Sequence, residues 1–218
     1  MALDPRSRQK KVERRKAKEK SKHEALKVRG QQLVAQSMQA VASAPILHCS
    51  VMDTIWLQGI GHVIFSRILP NRQIAVSTFL LDMYCLGVKN AMFSIVDRPD
   101  YDKQVYNKIR DRHELETLDP ACARKLVEGG VEYARKLGFP PHSDYVKAKA
   151  IFGDIDPETC ARTFEYGKDG KPLFIAGPYE TQLRCSQIIR TLTASCGVGG
   201  FDFVMGMGAG GTEMQIEE

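Results

Sequence analysis

The chain has 218 residues, 43% of them hydrophobic, and a formal charge of +5. This composition fits one globular domain with tails and excludes disordered and membrane-embedded classes, because no apolar run reaches the ~18–20 residues that a membrane-crossing helix needs. The charge is uneven: residues 1–30 hold twelve Lys/Arg and four Asp/Glu, while the rest holds 19 basic and 22 acidic side chains, so a basic arm precedes a mildly acidic body.

The first residues are charged and lack an apolar h-region, which predicts no secretory signal. Glu13, Glu19 and Glu24 argue against a transit peptide, since such segments avoid acids. None of the six cysteines is arranged as C-x-x-C. That usage predicts reduced thiols in a cytoplasmic protein without disulfides.

The pattern divides the chain into a basic, partly helical arm over 1–30, a single domain over 31–197, and a Gly-rich mobile tail over 198–218. The arm has almost no apolar residues before Leu26. Its Glu–Lys spacings support a solvated helix that frays easily, and Gly30 ends it. Val34, Met38 and Val41 share one helical face, and Pro45 closes that helix. A β block follows: Ile46–Thr54, His62–Leu69 after the Gly59 and Gly61 turn, Gln73–Tyr84, and Ala91–Val96 after a break at Gly87. Gln73–Tyr84 is apolar on both faces, which predicts a central strand covered on both sides. Short turns favour an antiparallel meander.

Residues 98–116 are charged, with Tyr101, Val105 and Ile109 at helical spacing. Asp119 is an expected N-cap, with Pro120 at the first helical position of a helix reaching Leu137. Ser143 is expected to cap a helix through Phe152, and Asp156-Pro157 opens a short turn. Asp169-Gly170 predicts a small hairpin between 163–166 and 172–176. A last helix covers 180–194. The expected fold is therefore α+β: an antiparallel meander of three or four strands, packed helices and a small late hairpin.

Four segments could carry chemistry. In the arm, Lys10, Lys11, Arg14, Arg15, Lys16, Lys18, Lys20 and Lys22 supply the clustered cations that contacts with nucleic-acid phosphates require. The bland alternative is a solvated, charge-laced tail. Asp82 ends the central strand, where a carboxylate finds donors, pairs with Lys89, or shifts its pKa. Cys85 would act as a nucleophile only beside a base such as His48 or His142; a buried inert thiol is the commoner case. His142 precedes a helix start, followed by Asp144, and suits either a neutral base or a turn support. Asp154 and Asp156 could hold Mg²⁺ and, with Asp82, form a three-carboxylate hydrolytic site; Asp156 is equally an ordinary helix cap.

The segments FLLDMYCLGVKNAMF (79–93), VEYARKLGFPPHSDY (131–145), FGDID (152–156) and FEYGKDGKPLFIAGP (164–178) together resemble a group of uncharacterised bacterial proteins that also open with a Lys/Arg-rich arm. The resemblance covers most of residues 46–192. It implies a stand-alone bacterial domain and transfers no functional residue, while drawing attention to Asp82, Cys85, Lys89, His142, Asp144, Asp154 and Asp156.

Three functions remain in view. One is a cytoplasmic binding protein associated with RNA or the ribosome, anchored by the arm and without a membrane partner. The second is a metal-assisted, nuclease-like hydrolase in which Asp82, Asp154 and Asp156 hold the cation and His142 is base or ligand. The third is a protein-interaction module without catalysis.

Overall fold

Apolar residues on both faces of the β block give a sheet that is covered on both sides. The computed structural model describes residues 39–178 and 180–205. Its main sheet has five strands in the order β4-β3-β2-β1-β5: β1 (Ile46–Met52), β2 (Ile60–Ile68), β3 (Ile74–Asp82), β4 (Gly87–Val96) and β5 (Leu115–Thr117). All its pairings are antiparallel, so the α+β expectation holds. The sheet has one strand more than the expected three or four. The fifth is cut from the end of the segment expected to stay helical to Glu116, where His113 and Glu114 turn the chain and Leu115–Thr117 pairs with β1.

Residues 39–43 end a helix before Pro45, and the rest of that expected helix lies outside the described residues. Between β1 and β2, Thr54–Gln58 forms a short helix, α1, where only a turn was expected. Gly59 closes it with φ 70°. An added Cβ there would lie 2.3 Å from the Tyr84 ring, so both conformation and space call for glycine. Gly87 opens β4 rather than interrupting it, with φ 63° at its Asp82 pairing.

β3 is covered on both sides, as its sequence predicts. On one face, Val63, Phe65, Phe79 and Leu81 meet Leu126 and Val127 of α3 (Pro120–Lys136) and Phe152. The Phe152 ring stacks on Phe79 at 5.5 Å and meets Phe65 edge-on at 5.2 Å. Full burial of each such ring contributes roughly 2–3 kcal/mol. On the opposite face, Ile64, Ile74 and Val76 pack against Tyr101. Tyr101 belongs to the helical run over residues 98–110, α2, whose middle is a π turn over Tyr101–Tyr106. Its hydroxyl lies 2.7 Å from His48 Nδ1 and 3.0 Å from Ser66 Oγ, which satisfies a buried polar group deep in the sheet.

Asp119 caps α3 as expected, accepting from the amides of Ala121 at 2.9 Å and Cys122 at 3.3 Å. Ser143 does not cap the next helix. Asp144 occupies the cap position of α4 (Tyr145–Ala148), which continues as a 3₁₀ turn over Lys149–Phe152. Arg67 anchors this segment from the sheet. It is 5% exposed and donates to the carbonyls of Ile151 at 2.7 Å and Phe152 at 3.2 Å, and also to that of Ala44.

The late hairpin is also corrected. Asp169 and Gly170 do make a tight turn, closed by Lys168 and Lys171, but 163–166 is not a strand. Instead β6 (Leu173–Ile175) pairs in parallel with β7 (Asp202–Val204) from within the Gly-rich segment, with α5 (Gln182–Cys196) between them. The expectation of six reduced thiols fails as well: Cys122 on α3 and Cys160 form a disulfide, with Cα atoms 5.0 Å apart. Spacing hid it, because 38 positions of sequence separate the pair.

Candidate functional site

Asp82 ends β3 at 6% exposure and accepts from the amides of Tyr84 at 3.0 Å and Cys85 at 2.9 Å. Burial pushes its carboxyl up to about 6, against the pull of Lys89 and of the Cys85, Tyr84 and Leu86 amides. Lys89, on β4, reaches in the other direction to Glu180, with Nζ 2.7 Å from Oε1. The Gly177 amide holds the second Glu180 oxygen at 2.8 Å. Burial raises the Glu180 carboxyl, but the hydrogen bonds from Lys89 and Gly177 and the charges of Lys89 and Arg184 outweigh it and keep it below the ordinary range.

Lys89 and Glu180 stand at the rim of a cleft of about 470 Å³. One wall comes from β4 and the Gly138–His142 loop, the other from α5. The loop is tied to the strand by the His142 amide, which donates to the Val88 carbonyl at 2.9 Å. The His142 side chain lines the cleft, and its Nδ1 accepts from the Asp144 amide at 3.2 Å. That bond selects the tautomer with hydrogen on Nε2. The structure therefore brings Lys89 and His142 to one cleft, with Asp144 next to His142, while Asp82 does not line the cleft and is buried at the end of the neighbouring strand.

The other candidates lie apart. Asp156 caps the turn Pro157–Thr159, accepting from the Glu158 amide at 3.0 Å, and Asp154 is exposed. Among the described residues no three His, Cys, Asp or Glu side chains are grouped to hold a metal ion. Asp82, Asp154 and Asp156 thus do not form the three-carboxylate Mg²⁺ site. Cys85 is buried, and burial followed by the nearby Asp82 charge raises its thiol well above the usual range, so it supplies no thiolate. His48, one of its candidate bases, is instead stacked 4.1 Å from Tyr106 under α2. The arm residues Lys10, Lys11, Arg14, Arg15, Lys16, Lys18, Lys20 and Lys22 lie outside the described residues.

A second arrangement was not anticipated. Trp56 of α1 and Phe164 are stacked, with ring centres 6.0 Å apart and planes within 6°. The Arg162 guanidinium lies 4.1 Å from the Trp56 centre and 5.4 Å from that of Phe164. Glu116 fixes both partners, accepting from Trp56 Nε1 at 2.7 Å and Arg162 Nη1 at 3.2 Å. The rings edge a hollow of about 260 Å³ that also includes Tyr84 and Lys168, whose Nζ sits 5.9 Å from the Tyr84 ring centre. The one sequence signal was the alternation of Arg162, Phe164 and Tyr166 on an extended segment; Glu180 and Arg184 left no local signal at all.

Comparison of the chain with protein-family models, with curated proteins and with solved structures finds no match in any of the three.

Proposed function

We propose that the chain is a nucleic-acid-associated binding protein, cytoplasmic and of the bacterial kind that its segments resemble, with RNA or the ribosome as partner. The basic arm is its electrostatic anchor, and the Trp56–Phe164 face of the domain makes a second contact. The observation that carries this reading is the parallel aromatic pair overlaid by Arg162. Aromatic and guanidinium planes are surfaces on which unpaired bases stack, without sequence preference, at about 1–3 kcal/mol per base. The arm adds what the acidic body lacks, cations that release counterions from phosphates. The hydrolase alternative loses its support, because its three acids share no site.

Trp56 is the single tryptophan of the chain, so its fluorescence reports on the face directly. The test is titration of the full chain with single-stranded RNA at several salt concentrations. Quenching of Trp56 is expected, with affinity that falls steeply as salt rises. Changing the eight arm cations to Gln in the full chain is expected to flatten the salt slope by about 0.7 for each phosphate that is no longer neutralised. Trp56→Ala is expected to weaken binding by about 1–3 kcal/mol without changing that slope. Absence of binding at low salt refutes the reading.

A further inference from the structure

The cleft between β4, the Gly138–His142 loop and α5 is separate from the aromatic face and is not used by the proposed nucleic-acid contact. Its volume of about 470 Å³ lies in the range of pockets that enclose small molecules. Part of the lining is apolar: Pro140 and Pro141 present their rings, above the buried Leu86, Val88, Phe139 and Ile188. Against these the rim sets a group of hydrogen-bond donors: the Lys89 ammonium, the Arg184 guanidinium and the His142 Nε2–H.

The acids near the rim are already engaged. Glu180 lines the cleft, but its two oxygens are taken by Lys89 at 2.7 Å and by the Gly177 amide at 2.8 Å. Asp82 is buried outside the cleft lining and turned to the Tyr84 and Cys85 amides. Asp144 is mostly exposed, with a carboxylate oxygen 4.0 Å from His142 Nδ1, on the far side of the ring from Nε2. Among the described residues no carboxylate lies within ion-pair distance of Arg184, although its charge acts on Glu180, so its exposed planar fork of donors can take two oxygens side by side.

We infer that this cleft binds a small organic oxyanion, with its carboxylate or phosphate group held by Arg184, Lys89 and His142 and its apolar body resting against the rings of Pro140 and Pro141. Lys89 is held in place by Glu180 before any ligand arrives, so its position costs no further ordering. The geometry distinguishes this ligand from a bare phosphate, which would leave the two proline rings wet, and from an alcohol of the same shape, which would leave Arg184 without an anion.

The test uses the full chain and three probes of one shape: phenylacetate, phenyl phosphate and benzyl alcohol. Binding is followed by calorimetry and by amide shifts at Val88, His142 and Arg184. At least one of the two anions is expected to bind about tenfold or more tightly than the alcohol. The stronger of the two identifies the head group. Arg184→Gln, on an exposed position, is expected to cost that anion about tenfold in affinity while leaving the melting temperature unchanged. Arg184→Lys is expected to recover part of it. Equal affinity for anion and alcohol, indifference to Arg184→Gln, or no shift at these amides with any probe overturns the proposal. None of these outcomes depends on RNA binding, which is read at Trp56.

Discussion

Asp82→Asn separates the electrostatic cost of the buried carboxylate from its structural role. Both hydrogen bonds at Asp82 Oδ1, from the Tyr84 and Cys85 amides, can be kept by an asparagine oxygen. What changes is charge. In the unfolded chain the carboxyl titrates near 3.8, and in the fold near about 6, because burial disfavours the ionised form. Below pH 3.8 the group is protonated in both states and its full contribution to stability is present. As the pH rises the unfolded chain ionises first, so that contribution is lost progressively and is gone above about 6. The difference corresponds to about 3 kcal/mol, at about 1.4 kcal/mol per pH unit. At 6% exposure there is little solvent to screen it. Urea denaturation of both proteins from pH 4 to pH 8 measures the effect. The stability of Asp82→Asn relative to the parent is expected to rise by about 2.5 kcal/mol across this range, nearly all of it below pH 7. A difference that does not change with pH refutes the reasoning and places Asp82 in contact with water or a stronger cation.

Two further perturbations probe the frame. Arg67→Met removes the donors from three buried carbonyls and is expected to cost about 3 kcal/mol, with lost amide protection over Tyr145–Phe152 in hydrogen exchange; an unchanged urea midpoint counts against it. Reduction of Cys122–Cys160 reopens a loop of 38 positions and is expected to lower stability by about 4 kcal/mol by the loop-closure relation, read by melting with and without reductant. Thiol trapping in cells tests the proposed location at the same time: an open pair fits a reducing cytoplasm, and a closed pair counts against it.

The parts of the fold that were legible in the sequence are those fixed by local patterns. Apolar, β-compatible runs bounded by turn residues marked β1 to β4, and β3 was apolar on both faces because two layers cover it. Asp119-Pro120 marked the start of α3 through the chemistry of its cap. What escaped depends on partners distant in sequence. Leu115–Thr117 is too short to show a period and becomes a strand only because β1 has a free edge. Leu173–Ile175 pairs with residues beyond α5 rather than with its nearest neighbour, so the turn signal at Asp169-Gly170 was right while the implied partner was wrong. The site followed the same rule. Asp82 and Lys89 lie within one turn of each other and drew attention together, and His142 stood out as a loop residue before a helix. Glu180 and Arg184 are ordinary helix-entry residues until the fold carries α5 across from β4.

The pairing of β6 with β7 has a consequence for how the cleft behaves over time. α5, its outer wall, enters after β6 and leaves toward β7, so the parallel pair clasps both ends of that wall. Phe174 of β6 is fully buried, whereas all three residues of β7 are exposed. The clasp is thus held by its least buried member, and the free energy needed to release it is well below that of global unfolding. Amide exchange over Asp202–Val204 is therefore expected to be faster than over β1 to β4.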